Sequence, residues 1–245
     1  MAQNVDILRM VLRMCPPGHP SRSSFLYNLA TCLRDRFKHR GILSDLDEAI
    51  DLHRAALALR PPGHSLRSLS LYNLATSLQE RFNQRGVCLT WMRPLTSIEL
   101  HFLGDRFKQR GVLPDLDEAI DLHRAALALC PPGHSDRSLS LNNLATSLRD
   151  RFIQRGVLSD LDEAIDLHRA ALAVCPHSHS DRSSSLQNLA ITLHDRFMQR
   201  GALSDLDEAI DLHQAALALH PPGHSLRSLS LSNLAAGLQS RFTQR

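Results

Sequence analysis

The fifteen-residue string DLDEAIDLHRAALAL starts at Asp45 and again at Asp115, and returns with one change each at Asp160 and Asp205. Self-similarity of this grade dictates a repeat architecture, in which one supersecondary unit per period cannot bury its apolar face alone. The glycines ahead of the string are Gly41, Gly111, Gly156 and Gly201. The last three are spaced by 45, whereas Gly41 and Gly111 lie 70 apart. Gly86 sits 45 after Gly41, so the unit that begins there is 20 residues short.

Each intact unit reads as two helices. The shorter carries Leu46, Ala49, Ile50, His53, Ala56 and Leu57 at amphipathic-helix spacing. Ser44, Ser159 and Ser204, followed three residues later by Asp47, Asp162 and Asp207, resemble a capping box. A Pro-Pro-Gly turn at Pro61 ends this helix, because proline cannot continue the ladder. The longer helix presents Leu141, Leu144, Ala145, Leu148 and Phe152, and closes on Gly156 as a left-handed cap. Stacking such pairs buries both stripes. The expected fold is an all-α solenoid of antiparallel helix pairs with 45-residue units, one of them damaged.

The damaged unit holds the only Trp. Writing Leu-Ser-Asp-Leu-Asp-Glu-Ala-Ile-Asp-Leu-His-Arg-Ala as codons and shifting the reading by one nucleotide gives Cys-Leu-Thr-Trp-Met-Arg-Pro-Leu-Thr-Ser-Ile-Glu-Leu, which is Cys88 to Leu100. The segment reads as an ordinary short helix translated out of frame, by a genomic lesion or a falsely called intron. An evolved loop anchored by Trp91 is the alternative. Frame returns near Phe102, and Pro94 suits the first position of a rescued helix running to Arg110. Residues 86–93 extend to at most about 28 Å, against about 30 Å for the helix before them. The expectation is therefore an antiparallel rescued helix and a phase break: an N-terminal block 1–85, an irregular linker 86–93 and a C-terminal block 94–245. One continuous solenoid over 4–245 is the alternative.

Composition narrows the function. A net charge of +3 gives no strong pull toward nucleic acid or an anionic membrane, and no apolar run reaches membrane-spanning length. The five cysteines are scattered without a CxxC pair, which fits a reduced, cytoplasmic setting. His53, His123, His168 and His213 lie on the core stripe, too far apart to share a metal. His64, His134, His179 and His224 lie in the turns. Cys15, Cys130 and Cys175 share a slot with Arg60 and His220, as tolerated substitutions would. No phosphate loop, nucleophile elbow or HExxH occurs; neither catalytic residue, metal nor cofactor is expected.

Leu141, Leu144, Ala145 and Leu148, with Ala164, Ala171 and Pro176, resemble the large–leucine–small–large and small-residue positions of the tetratricopeptide repeat. The long unit and the Asn-Asn-Leu-Ala and Pro-Pro-Gly-His-Ser-Asp-Arg strings are similar to the kinesin-light-chain type and to fungal arrays that accompany CHAT domains. No CHAT catalytic domain is present. The departures are the 45-residue period and His168 where the family has an aromatic residue.

One asparagine per long helix, Asn28, Asn73, Asn143, Asn188 and Asn233, stands beside a core leucine. An amide donates and accepts together, so such a series can pair with an extended peptide backbone, and the resemblance implies that role on a concave face. Thr31, Thr76 and Thr146, with Arg34 and Arg149, join the candidate site. The residues before the asparagines, Tyr27, Tyr72, Asn142, Gln187 and Ser232, vary between units as a binding face would. The expectation is a non-enzymatic scaffold for a peptide segment of another protein, without nucleic acid or membrane. The alternative is a structural spacer or self-associating fragment of a larger CHAT-type effector. The last helix exposes Leu231, Leu234, Leu238 and Phe242 for a partner or a second copy.

Overall fold

A computed structural model describes residues 2–90, 113–175 and 181–243 as ten α-helices, with no strand among the described residues. Short helices α1 (Ala2–Met14), α3 (Leu43–Ala58), α5 (Leu113–Ala128), α7 (Leu158–Val174) and α9 (Leu203–Ala218) alternate with long ones. The long helices are α2 (Arg22–Arg40), α4 (Arg67–Thr90), α6 (Arg137–Arg155), α8 (Arg182–Arg200) and α10 (Arg227–Thr243). The chain forms two compact units, Met1–Cys130 with α1–α5 and Pro131–Arg245 with α6–α10. Each is a stack of helix pairs of the all-α solenoid type.

Within each pair the two halves of the repeat bury each other. Leu29, Ala30 and Leu33 of α2 close on Val5 of α1 and Ala49 of α3. The other side of α3, Leu46 and Ile50, meets Leu74, Ala75 and Leu78 of α4. The same contacts recur in the second unit around Ile165, Leu189, Ala190, Leu193 and Ala209. A short helix is thus a two-sided filler between consecutive long helices.

The glycine caps form as the pattern requires: Gly41, Gly156 and Gly201 have φ near +70° and donate to the carbonyls of Phe37, Phe152 and Phe197 at 2.7 Å. The serine capping box does not. Helices α3, α7 and α9 start two residues earlier, after an extended Ile42, Val157 or Ala202, without a side-chain cap. The buried aspartate after the serine is held instead by an arginine of the preceding long helix. Arg36 grips Asp45 with Nε and Nη2 at 2.6 and 2.8 Å, and Arg151 and Arg196 grip Asp160 and Asp205 likewise. A fork on a carboxylate also neutralises the first turn where the helix dipole favours an anion.

The broken unit departs from expectation. Helix α4 runs through Gly86 to Thr90, so the start of the segment read as a linker continues the helix. The next short helix, α5, packs on α4 as α3 packs on α2: Ala119 and Leu122 enter the cluster of Leu74, Ala75 and Leu78. Arg81 grips Asp115 with Nε and Nη2 at 2.8 and 2.7 Å. Arg54 of α3 reaches Glu118 of α5 at 2.7 Å, as Arg9 reaches Glu48 and Arg169 reaches Glu208. Both separations are 25 residues longer than in intact units, the offset between Gly86 and Gly111. The two ends of the offset therefore join in phase, and α5 belongs to the first unit rather than to a block beginning at 94. Trp91, Pro94 and the expected rescued helix lie outside the described residues.

Candidate peptide-binding face

Consecutive long helices lie side by side within each unit and are linked by polar pairs. Arg149 of α6 donates to Asp195 of α8 at 2.5 Å, and His194 of α8 lies 3.1 Å from Ser240 of α10. In the first unit Lys38 of α2 meets Glu80 of α4 at 2.9 Å. Asp195 stands two turns along the same stripe as Asn188, so these links run along the expected asparagine face.

The asparagines divide. Asn73 is buried, and its Nδ2 donates to the Tyr27 hydroxyl at 3.0 Å and the Leu69 carbonyl at 2.9 Å. It ties α4 to α2. Asn28 is exposed, while Asn143, Asn188 and Asn233 are half-buried. Asn233 lines a 120 Å³ cavity with His194, His213 and Gly237, the last standing where sister units have Cys32, Ser77, Ser147 or Thr192. The hydroxyls of Thr31, Thr76 and Thr146 donate to the carbonyls of Tyr27, Tyr72 and Asn142 in their own helices; they offer a ligand only lone pairs. Arg149 is held by Asp195, and Arg34 keeps buried Nε and Nη1 without hydrogen bonds.

At four of the five copies the variable position before the asparagine packs at a junction between helices, while Ser232 is exposed. Tyr27 and Tyr72 stack edge-on against His53 and His123, with centroids 5.5 and 6.1 Å apart. Asn142 bonds Ser185 at 2.8 Å and His168 at 2.9 Å, and Gln187 bonds Ser230 at 2.6 Å. Variation here tracks junction packing. Its partner is remote in sequence, so nothing local in the pattern reveals it.

The core histidines are neutral at ordinary pH. Burial, reinforced by Arg34 and Arg60, pushes His53 down to about 3. Burial alone lowers His123 to about 4, and burial with Arg149 lowers His168 to about 4. His213 is lowered by burial and by His194. Both ring nitrogens of His53 and His123 lack hydrogen bonds. Among the described residues no group of three His, Cys, Asp or Glu side chains is placed to hold a metal.

The shared slot after each short helix is buried in every copy, and its occupants are fitted individually. Arg60 lies over the Tyr27 ring at 5.1 Å and donates to Ser70 at 2.6 Å, while His220 bonds Ser230 at 2.8 Å. The turn histidines have a role that the sequence reading missed. Nδ1 of His19, His64, His134 and His224 accepts from the backbone N–H two residues on, at 3.1–3.2 Å. Placed after a glycine with φ near +90° in a Pro-Pro-Gly turn, they set the entry into each long helix. His179 lies outside the described residues.

No helix among the described residues is long and apolar enough to cross a membrane. Residues 182–224 match a family profile described as tetratricopeptide repeat. No curated protein matches the chain. Among solved structures, BtubC (BKLC) from P. vanneervenii has TM-score 0.63 at 17% identity, over 98% of this chain and 81% of that one. The nearly identical TPR-like repeats of a kinesin-light-chain-type protein from Podosopora anserina give TM-score 0.60 at 20% identity, over 92% and 90%. At these identities the likeness shows the fold.

Proposed function

Because the chain is a tetratricopeptide-repeat protein, we propose that it is a non-enzymatic protein–protein interaction scaffold whose long-helix face binds an extended segment of a partner. The observation that carries this reading is the pair Asn143 and Asn188: half-exposed amides at equivalent positions of adjacent helices, with Asn233 and its cavity next in line. Packed helices lie about 8–10 Å apart, and three residues of extended chain span about 10 Å. One amide therefore meets the peptide backbone every third residue, donating and accepting at once. The 120 Å³ cavity beside Asn233 offers a socket for one small side chain.

The test is selection of binders from a displayed library of unstructured peptides on the intact chain, followed by anisotropy titration. Replacing both Asn143 and Asn188 by Ala is expected to weaken the selected peptides about tenfold or more, at about 1 kcal/mol per lost hydrogen bond. Peptides that bind equally well to the double variant, or no selectable peptide at all, would leave the structural-spacer reading in its place.

A further inference from the structure

Three shortened positions set the cavity beside Asn233 apart from its counterparts. His194, Ala236 and Gly237 line it. One unit earlier the same positions hold Arg149, Ile191 and Thr192, and in the first unit Arg34, Thr76 and Ser77. The rest of the lining is Ile191, Ala209, His213 and Asn233. All of it comes from the packed helices α8, α9 and α10. Leu231, Leu238 and Phe242, on the outer stripe of α10, take no part.

His213 supplies an unspent polar edge. The residue is 4% exposed, and its Nδ1 has no hydrogen-bond partner. Nε2 of His53, His123 and His168 is shut in the core, whereas the cavity reaches the Nε2 edge of His213. Burial, with His194 beside it, keeps this ring neutral, and a neutral ring nitrogen donates or accepts according to its tautomer. A hydroxyl answers either role. No Arg, Lys, Asp or Glu lines the cavity, so a charged side chain would enter it without a counter-ion. The volume of 120 Å³, about four waters' worth, suits a short side chain.

We propose that this cavity selects a threonine of the bound segment, with its hydroxyl on Nε2 of His213 and its methyl against Ile191, Ala209 and Ala236. This rests on the reading of the long-helix face as a peptide-binding site, and it gives that site a side-chain preference. Valine fills the same volume but leaves Nε2 unpaired; serine pairs with Nε2 but leaves the apolar wall bare. Asn233, in the same lining, holds the adjoining backbone.

The probe is a peptide selected on the intact chain from the displayed library, resynthesised with threonine or valine at each position in turn. At one position the threonine form is expected to bind about fivefold tighter than the valine form, the worth of one hydrogen bond. Ala236→Ile should erase that difference while the circular dichroism of the chain is unchanged, because Ala236 is exposed and α8 carries Ile191 at the same position. Gly237 is the poorer site for this change, since a Cβ there would lie 3.2 Å from Cγ1 of Ile210. His213→Phe should erase the difference without weakening the valine peptide. In nitrogen NMR of isotope-labelled histidine, the threonine peptide should shift the Nε2 resonance of His213 and the valine peptide should not. Peptides that lose affinity with Asn143→Ala and Asn188→Ala, yet show no threonine preference at any position, overturn the socket and leave the scaffold reading standing. A preference that survives both Ala236→Ile and His213→Phe overturns it too, since the hydroxyl is then read elsewhere. No selectable peptide removes both readings.

Discussion

Removing residues 87–111 should leave the fold intact and make the protein more stable. The deletion joins Gly86 to Val112 and yields RFNQRGVLPDLDEAI, which parallels the intact junction RFIQRGVLSDLDEAI beginning at Arg151. Arg81 and Asp115 would then stand nine residues apart, as Arg36 and Asp45 do. Their contacts already have the geometry of an intact pair, so the change required is at Gly86, which leaves helix α4 to take the left-handed closing conformation of Gly41 and Gly156. The magnitude follows from loop closure. The sequence separation closed by the Arg81–Asp115 contact falls from 34 residues to the nine of an intact unit, and with (3/2)RT ln n this lowers the entropic cost of closing it by about 1 kcal/mol. For a chain of this size that corresponds to a rise in Tm of about 2–4 °C. Calorimetry and urea titration of both proteins measure it. A reciprocal variant, with residues 87–111 inserted after Gly156, should lose a similar amount. A deletion protein that melts at or below the parent temperature, or loses helix content, would refute the claim that α4 and α5 form a native junction.

Three further outcomes follow from the same geometry. Arg81→Gln should lower stability by about 2 kcal/mol by urea titration, because it strands the buried Asp115 as well as freeing Asp47. Acidification should destabilise the fold well before its carboxylates titrate. The folded-state values of His53, His123 and His168 lie near 3–4, below the unfolded value of about 6.5, so their stabilising effect is complete above pH 6.5 and is lost as pH falls toward 4. Each contributes up to about 1.4 kcal/mol per pH unit in that window, and His123→Phe should flatten the pH dependence of the urea midpoint by one such increment. Gly156→Ala should cost about 1 kcal/mol because the cap sits at φ +71°, whereas Gly86→Ala, inside helix α4, should be neutral or stabilising in the same melts.

What was legible in the sequence is what the period repeats. The helix pairs, the glycine closures and the inward histidines depend on residues within one turn of each other, and each copy confirms the next. Three features were misread for physical reasons. Ser44 with Asp47 has capping-box spacing, but Asp45 is drawn to Arg36, and the helix begins at Leu43. Tyr27, Asn142 and Gln187 vary as a ligand-facing row would, yet they meet partners 26 to 46 residues away across buried junctions. The asparagine series looked uniform, but Asn73 has Tyr27 opposite it and is spent on a structural bond, while Asn142 and Gln187 take that linking role in the second unit and leave Asn143 and Asn188 half-exposed. Identical letters at identical register therefore carry different duties once their neighbours differ.

The tolerance of the broken unit has its origin in the array itself. In a stacked array stability is a sum of nearest-neighbour terms, and in this chain the dominant polar term, an arginine fork on an aspartate, is the same at each long–short junction described: Arg36 with Asp45, Arg81 with Asp115, Arg151 with Asp160 and Arg196 with Asp205. A long helix cannot distinguish one copy of the short helix from another. Helix α5, which comes 25 residues later in the sequence than the period calls for, therefore sits on α4 without a mismatch. Exchanging the charges at one junction tests this. Arg81→Asp should lower the urea midpoint, and adding Asp115→Arg should recover part of the loss; no recovery would show that register is set by apolar burial alone rather than by this pair.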